Sequence, residues 1–282
     1  MKSLRLTILL LLGLIYSANA QQAETFEFDR QIIYQLTYQT DSTDLESRGQ
    51  LDFELLLNDS LSLFESLRKW RDDSTYYASK ETKSVTIGLW PVNPFNYQII
   101  KTGGTIKTYD SPFGINLNGK DVIYYYEEPL QDLNWNITTD TMTIANMLCQ
   151  RADLHFGNRH WTAWFTVEIP IQDGPYKFGG LPGLVVSVSD ANDFWRFEMT
   201  NIRNVTKTVV INFQNWYEFV PATKEQLYKE RRQYQDNMFD IYETAGALHS
   251  DEAVDQKAAL EKTKKQIDDR VSKDNNWIEL YP

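Results

Sequence analysis

Three features of the sequence predict a mainly β or α+β fold, in which a curved, largely antiparallel sheet carries a C-terminal helical pair. First, Trp161, Ala163, Phe165, Val167 and Ile169 alternate with Thr162, Trp164, Thr166 and Glu168, and Trp195, Phe197 and Met199 alternate with Arg196 and Glu198. A period of two turns one side of each segment toward a core. Second, aromatic residues make up 13% of the chain, which gives a sheet large, rigid packing groups. Third, the period becomes helical after Pro221. Strands followed by segregated helices suit a sheet with helices at one end, and a half-open barrel is one shape such a sheet can take.

Taken in order, the chain begins with a leader. Lys2 and Arg5 form a basic start, Leu6 to Tyr16 an apolar run, and Ala18-Asn19-Ala20 a small-x-small cleavage site. The run is shorter than the ~20 residues a membrane-spanning helix needs. Residues 1–20 therefore read as a signal peptide and Gln21 as the mature start. Gln21 is not the cysteine that a lipid anchor requires, so a periplasmic or secreted protein is expected, neither lipid-anchored nor membrane-spanning. Residues 21–221 read as an antiparallel β domain. Ile32–Tyr38, Gln50–Leu57, Tyr97–Tyr109 and Val122–Tyr126 are β-branched or aromatic runs. Turns at Asn58-Asp59-Ser60, Thr102-Gly103-Gly104 and Asn116-Leu117-Asn118-Gly119 punctuate them.

Residues 222–273 read as a helical appendage. Thr223 and Gln226 make a capping box, and Leu227, Tyr234, Met238, Ile241, Ala245 and Leu248 continue as one apolar stripe ending near Gly246. Ser250 with Asp251 and Glu252 marks a second helix start, whose stripe is Ala253, Leu260, Ile267 and Val271. Residues 274–282, containing Trp277-Ile278-Glu279-Leu280-Tyr281, read as a tail or a short edge strand.

Residues 173–185, Asp-Gly-Pro-Tyr-Lys-Phe-Gly-Gly-Leu-Pro-Gly-Leu-Val, are the most distinctive stretch. Gly174-Pro175 and Leu181-Pro182-Gly183-Leu184 read as tight turns; in the second, Gly183 supplies the positive φ of a type II turn. The stretch lacks Gly-Lys-Ser/Thr and leads into strand-like Leu184–Val188, so it is not a phosphate loop. Two readings stay open: an architectural connection with Phe178 and Leu181 tucked into the sheet end, or a binding rim. Arg159, set among aromatics, reads as paired with a carboxylate such as Asp173 or Asp190 rather than as catalytic.

Upstream stand Cys149, Ala152, Phe156-Gly157-Asn158-Arg159, Trp161-Thr162-Ala163-Trp164-Phe165-Thr166 and Glu168-Ile169-Pro170. Together with Gly180-Leu181-Pro182-Gly183-Leu184 they resemble the GLPGLI family, exported proteins of Bacteroidetes-type bacteria without an established activity. Ser62-Leu63-Phe64 and Trp277-Ile278-Glu279-Leu280 are similar to further family features, with Trp277 where Pro is common and His160 lengthening its segment slightly. The resemblance implies that Cys149, Gly157, Arg159, Trp164, Pro170, Gly174, Pro175 and Gly180 to Leu184 are motif positions. It implies no mechanism.

Charge and motifs narrow the function. The net charge is −11, and about −13 once the leader is removed. That balance speaks against nucleic acid and anionic lipid surfaces, which require a basic footprint. Cys149 stands alone, so no internal disulfide forms, and a buried small apolar role is expected. Cys149, His155 and His160 lie close in sequence without the spacing of a zinc site; on a single strand Cys149 and His155 share a face and His160 takes the other. No metal or cofactor is expected. No Gly-x-Ser-x-Gly, His-Glu-x-x-His or Ser-x-x-Lys pattern occurs in its required context, and a catalytic triad would have to use His155, His160 or His249. The expectation is a non-catalytic envelope protein, binding or accessory, for an apolar or amphiphilic ligand or a protein partner. Trp161, Phe178, Leu181 and Trp195 would line its groove. The alternative is a periplasmic hydrolase with an unrecognised carboxylate site.

Overall fold

A computed structural model describes residues 24–69, 95, 97–110, 121–211, 217–244 and 256–280. The leader, the Asn116–Gly119 turn, Gly246, His249 and the helix start at Ser250 lie outside these residues. Twelve strands make one open sheet: β1 (Glu24–Gln39), β2 (Arg48–Leu57), β3 (Leu61–Ser66), β4 (Gln98–Thr102), β5 (Thr105–Asp110), β6 (Asp121–Pro129), β7 (Asn136–Ile144), β8 (Met147–Phe156), β9 (Arg159–Thr166), β10 (Leu184–Asp190), β11 (Trp195–Ile211) and β12 (Tyr217–Pro221). Their order is β12-β6-β5-β4-β3-β2-β1-β11-β10-β9-β8-β7. Neighbours are antiparallel, except that β12 runs parallel to β6.

The long central pair β1–β11 keeps register from Glu24↔Ile211 to Tyr38↔Trp195, with irregularities at Phe28/Arg30 and Ile33/Tyr34. Such bulges bend a strand and increase its twist. Gly103-Gly104, Ala145-Asn146 and Gly157-Asn158 each join two strands through two residues of positive φ. That is the type I′ geometry whose twist matches the flanking strands.

The sheet is strongly curled. The Lys177 ammonium lies 4.8 Å from the Tyr126 ring on β6 and 5.6 Å from the Phe156 ring on β8. Nine strand spacings separate β6 from β8 in the sheet order, roughly 40 Å if the sheet were flat. Ile32, Tyr34, Leu36, Phe53, Leu55, Phe64, Ala163, Phe165 and Phe197 fill the large core cluster on one face. Leu56 and Leu63, offset by one residue from Leu55 and Phe64, join Phe28, Ile100, Tyr109 and Ile123 in a smaller cluster on the other face.

Helix α1 (Lys224–Asp236) starts at the expected capping box: Gln226 N donates to Thr223 Oγ1 at 3.1 Å and Thr223 N to Gln226 Oε1 at 2.8 Å. The apolar stripe predicts one continuous helix past Met238. Instead α1 stops at Asn237 (φ −109, ψ 13), whose Nδ2 donates to Gln233 O at 2.7 Å, and a short α2 (Met238–Thr244) follows. Helix α3 (Gln256–Ser272) buries Ile267 alone among its described side chains. The edge-strand reading of the last residues does not hold for 274–280. They form no strand, because their backbone groups bond to loops and side chains from several elements instead of one ladder.

The type II turn at Gly183 is also corrected. In this segment Tyr176 (φ +53) and Gly180 (φ +78) carry positive φ, and Gly183 does not. Gly183 is required by close approach: an added Cβ would lie 2.0 Å from Thr166 O and 2.6 Å from Thr166 C, where β10 begins its pairing with β9. Gly183→Ala is therefore expected to cost about 1–3 kcal/mol or more from backbone displacement, and Gly183→Asn no less. Gly180→Asn is expected to cost under about 1 kcal/mol, since Asn tolerates the left-handed region. Urea unfolding of the three variants checks this; an Asn at 183 milder than Ala would restore the type II turn.

Candidate functional site

Where the two flanks of the curled sheet approach, four charged side chains close a ring. Lys177, from the glycine-rich loop, pairs with Glu279 Oε1 at 2.6 Å and Glu128 Oε2 at 2.6 Å. Lys224, the first residue of α1, pairs with Glu279 Oε2 at 2.5 Å and Glu128 Oε1 at 2.5 Å. Each ion thus has two counterions, and a loop, the tail, β6 and α1 meet at one point. A lysine opposes the dipole at a helix start, so the ring, not the helix, accounts for Lys224. Tyr126 OH accepts from Lys177 at 2.9 Å, and Tyr176 OH donates to Glu279 Oε1.

The electrostatics follow from burial. Desolvation opposes ionisation of Glu279, but Lys177 and Lys224 outweigh it and bring its pKa down to about 2. Burial also works against the Lys177 charge, yet Glu279 and Glu128 hold its pKa well above the usual lysine range. Burial and then Glu279 push the Tyr126, Tyr176 and Tyr228 phenols up. Such groups are poor proton acceptors or nucleophiles near neutral pH, where acid–base catalysis needs a pKa close to the working pH.

A second buried lysine shapes the loop. Lys101 Nζ, on β4, donates to the carbonyls of Gly174 (2.7 Å), Tyr176 (3.1 Å) and Phe178 (3.3 Å) and pairs with Asp173. Burial lowers its pKa against the pull of Asp173. Trp135 Nε1 donates to Gly179 O at 2.9 Å, and Tyr34 OH to Val185 O at 2.7 Å. Gly174 and Pro175 are buried, and a Cβ at 174 would meet Val185 Cβ at 2.6 Å. Pro170 and Pro182 are exposed and Trp164 is half-buried.

The β8–β9 turn grips the tail. Arg159 pairs with Asp190 at 2.9 Å, which answers the choice between Asp190 and Asp173. Its Nε donates to Trp277 O and Ile278 O at 3.1 Å, and its Nη2 to Asn276 Oδ1 at 2.6 Å. Asn158 Nδ2 donates to Leu280 O at 2.6 Å, and Leu280 N to Gly157 O at 2.8 Å. Gly157 combines φ +58 with a site where a Cβ would lie 2.8 Å from Glu279 Cγ.

Trp161, Phe178, Leu181 and Trp195 are brought together, but inside the core, each at most 1% exposed. The Phe178 and Trp161 rings are 4.7 Å apart. Cys149 is buried, and burial pushes its thiol pKa up. His155 and His160 do not take opposite faces: the Gly157-Asn158 turn folds the strand back so that they stand opposite each other, exposed, with rings 4.8 Å apart. Among the described residues no three His, Cys, Asp or Glu side chains gather as a metal site, and no helix is long and apolar enough to cross a membrane.

A carboxylate pair lies elsewhere. Glu54 and Glu65 face each other across β2 and β3, both buried. Glu54 accepts from Gln31 and pairs with Lys207, each at 2.5 Å, while Glu65 accepts from Gln98 at 2.5 Å. Burial raises the Glu65 pKa, and Glu54 adds to the rise. Sequence reasoning missed Lys177, Glu128, Lys224 and Glu279, and missed this pair, because alternation puts Glu54 on the face opposite Phe53 and Leu55.

A family model described as "Protein of unknown function (Porph_ging)" matches residues 156–187, the β8–β9 turn through β10, and fits a Bacteroidetes-type family of unknown function. No curated protein matches the chain. A structure of PNGF-II in space group P21 is similar at 16% identity and TM-score 0.47, covering 72% of this chain. One in space group C2 is similar at 14% identity and TM-score 0.49, covering 74%. The chain spans 33% of each of those proteins.

Because the Glu279 pKa is depressed, its contribution to stability is complete above its ordinary value of 4.5 and is lost as pH falls through about 2. Glu279→Gln is expected to cost about 3 kcal/mol at neutral pH. The gap to wild type should narrow steadily as pH falls from about 4.5 toward 2. Urea titrations over that range measure it; a gap independent of pH would remove the ring from the stability of the fold.

Proposed function

We propose that the protein is an exported, non-catalytic binding or accessory protein of the GLPGLI type, working in the cell envelope of a Bacteroidetes-type bacterium with a protein partner. The observation that carries this reading is the ring. The charged groups of the family segment are committed to internal partners, Arg159 to Asp190 and the tail, Lys177 to Glu279 and Glu128. The four aromatic and apolar residues expected to line a groove are buried against the core, which favours a protein partner over a small apolar ligand. The leader sequence supports export. Among exposed apolar side chains, Ile137, Met142, Leu148 and Val167 fall on or beside edge strand β7 and its neighbours, where a partner strand can add.

One observation favours a second reading, a hydrolase: the Glu54–Glu65 pair, in which one carboxyl is pushed toward the acid form beside another held by a lysine. A buried carboxyl raised toward the working pH, as Glu65 is, suits general acid chemistry. Native mass spectrometry of protein isolated from its own envelope tests the two. The expected result is a retained protein partner, lost on Met142→Lys with Leu148→Lys while the melting temperature stays within about 2 °C, as for substitutions at exposed positions. Turnover of a glycan or ester, abolished by both Glu54→Gln and Glu65→Gln in folded protein, would replace this reading with the hydrolase.

A further inference from the structure

The tail occupies its cleft in the manner of a bound peptide. Residues 274–280 have no regular secondary structure, yet Asn276, Ile278 and Glu279 are buried. The cleft reads both main chain and side chains. Arg159, Asn158 and Gly157 take the backbone of Trp277, Ile278 and Leu280. Asn275 N and Asn276 N donate to Thr40 O at 3.1 and 3.0 Å. Asn276 is recognised at both ends of its amide, its Oδ1 by Arg159 and its Nδ2 by Gln39 O at 2.6 Å. Glu279 is recognised by Lys177 and Lys224.

The groups that hold the tail keep partners that do not depend on it. Arg159 has Asp190, which also accepts from Trp195 N at 2.9 Å. Lys177 has Glu128 and Tyr126, and Lys224 has Glu128. The cleft is therefore preorganised as a receptor is, which lowers the cost of binding. Helix α3, which leads into the tail, buries only Ile267 among its described side chains and meets α2 where the Lys264 ammonium lies 5.4 Å from the Phe239 ring. Without Glu279, however, the fully buried Lys177 would lose one of its two carboxylate partners, and a buried charge short of counter-charge is unfavourable. The cleft thus demands an acidic extended segment, with an amide three residues before the carboxylate.

We infer that this cleft is a peptide-binding site which accepts the tail of a second copy of this chain in exchange for its own, so that two copies trade residues 274–280. This goes beyond the reading of the protein as a binding or accessory protein and does not depend on its partner. Reciprocal exchange gives a closed, two-fold dimer in which each copy supplies Glu279 to the other's ring.

A disulfide trap in the full chain tests it. Ser42 Oγ lies 2.9 Å from Asn275 Oδ1, and both residues are exposed. The Ser42→Cys, Asn275→Cys double variant should cross-link within the chain when dilute. Near about 1 mM, comparable with the effective concentration of a tethered segment, cross-linked dimers should appear that join residue 42 of one copy to residue 275 of the other. Peptide mapping distinguishes this link from those formed by the single-cysteine variants. Hydrogen exchange on wild type gives an independent readout: the amides of Asn275, Asn276 and Leu280 should exchange together and faster than those of β9 and β10. Intrachain links alone at every concentration, or tail amides as slow as the slowest amides of the sheet, would overturn the inference.

Discussion

A twelve-stranded sheet curled this far has to hold its flanks together without a closing ladder of hydrogen bonds, and the Lys177–Glu279 pair with its companions Lys224 and Glu128 meets that constraint. Two cations and two anions alternate, so the ring is neutral, and burial strengthens each attraction while penalising any missing member. Isolated buried ion pairs are weak stabilisers, because desolvation offsets most of the Coulomb gain. Here the geometry does something an apolar cluster of the same size would do less selectively. It fixes which residue of the loop meets which residue of the tail, and where α1 begins relative to β6.

The glycines of residues 156–187 make sense around that point. Gly157 lets the β8–β9 turn lie against Glu279, Gly174 lets the loop settle on Val185, and Gly183 lets β10 start hard against Thr166. Only Gly157 and Gly180 among them also need positive φ. Lys101 then satisfies three carbonyls that the irregular loop cannot satisfy by itself. Buried backbone acceptors need partners, and one ammonium with three donors is an economical answer. The segment between 156 and 187 is thus a unit of packing in which small residues permit contacts and charged residues hold them.

Much of the fold was legible, and the reason is locality. Alternation from Trp161 to Phe165, the Gly103-Gly104 turn and the Thr223–Gln226 capping box each depend on residues within a few positions of one another; the alternation read on to Val167 and Ile169 fails, because β9 ends at Thr166 and Val167 is 63% exposed. A carboxylate partner for Arg159, with Asp190 among the examples, was legible because an arginine among aromatics must be paired. What was not legible depends on distance along the chain. Lys177 and Glu279 are 102 positions apart, and nothing local distinguishes Glu279 from a solvated tail residue. His155 and His160 were misplaced because period-two reasoning assumes an unbroken strand, whereas a two-residue turn reverses the chain between them. Gly183 was assigned a conformation from its dipeptide alone, while its environment, the carbonyl of Thr166, decides the matter. Asn237 broke a stripe that hydrophobic spacing would have continued, since a side-chain amide can cap a helix end from within an apolar pattern.

The positions of the ring members along the chain also order its assembly. Glu128, Lys177, Lys224 and Glu279 come from four elements spread over more than half of the sequence, and the last lies near its end. The sheet's centre, β1 on β11, already requires pairing between residues as distant as Glu24 and Ile211. Non-local pairings of that kind are slow to form, because loop closure must precede the contacts that reward it. The ring can form only after this pairing has curled the sheet and brought β6 and β8 to face each other, and only once the tail arrives. A slipped register in β8–β9 would move Arg159 away from Asn276 and Gly157 away from Glu279 together, taking from the buried Lys177 one of its two carboxylate partners. Closure therefore discriminates against misregistered sheets with a penalty that apolar packing alone would not impose, since an apolar tail can slide by a residue and still be buried.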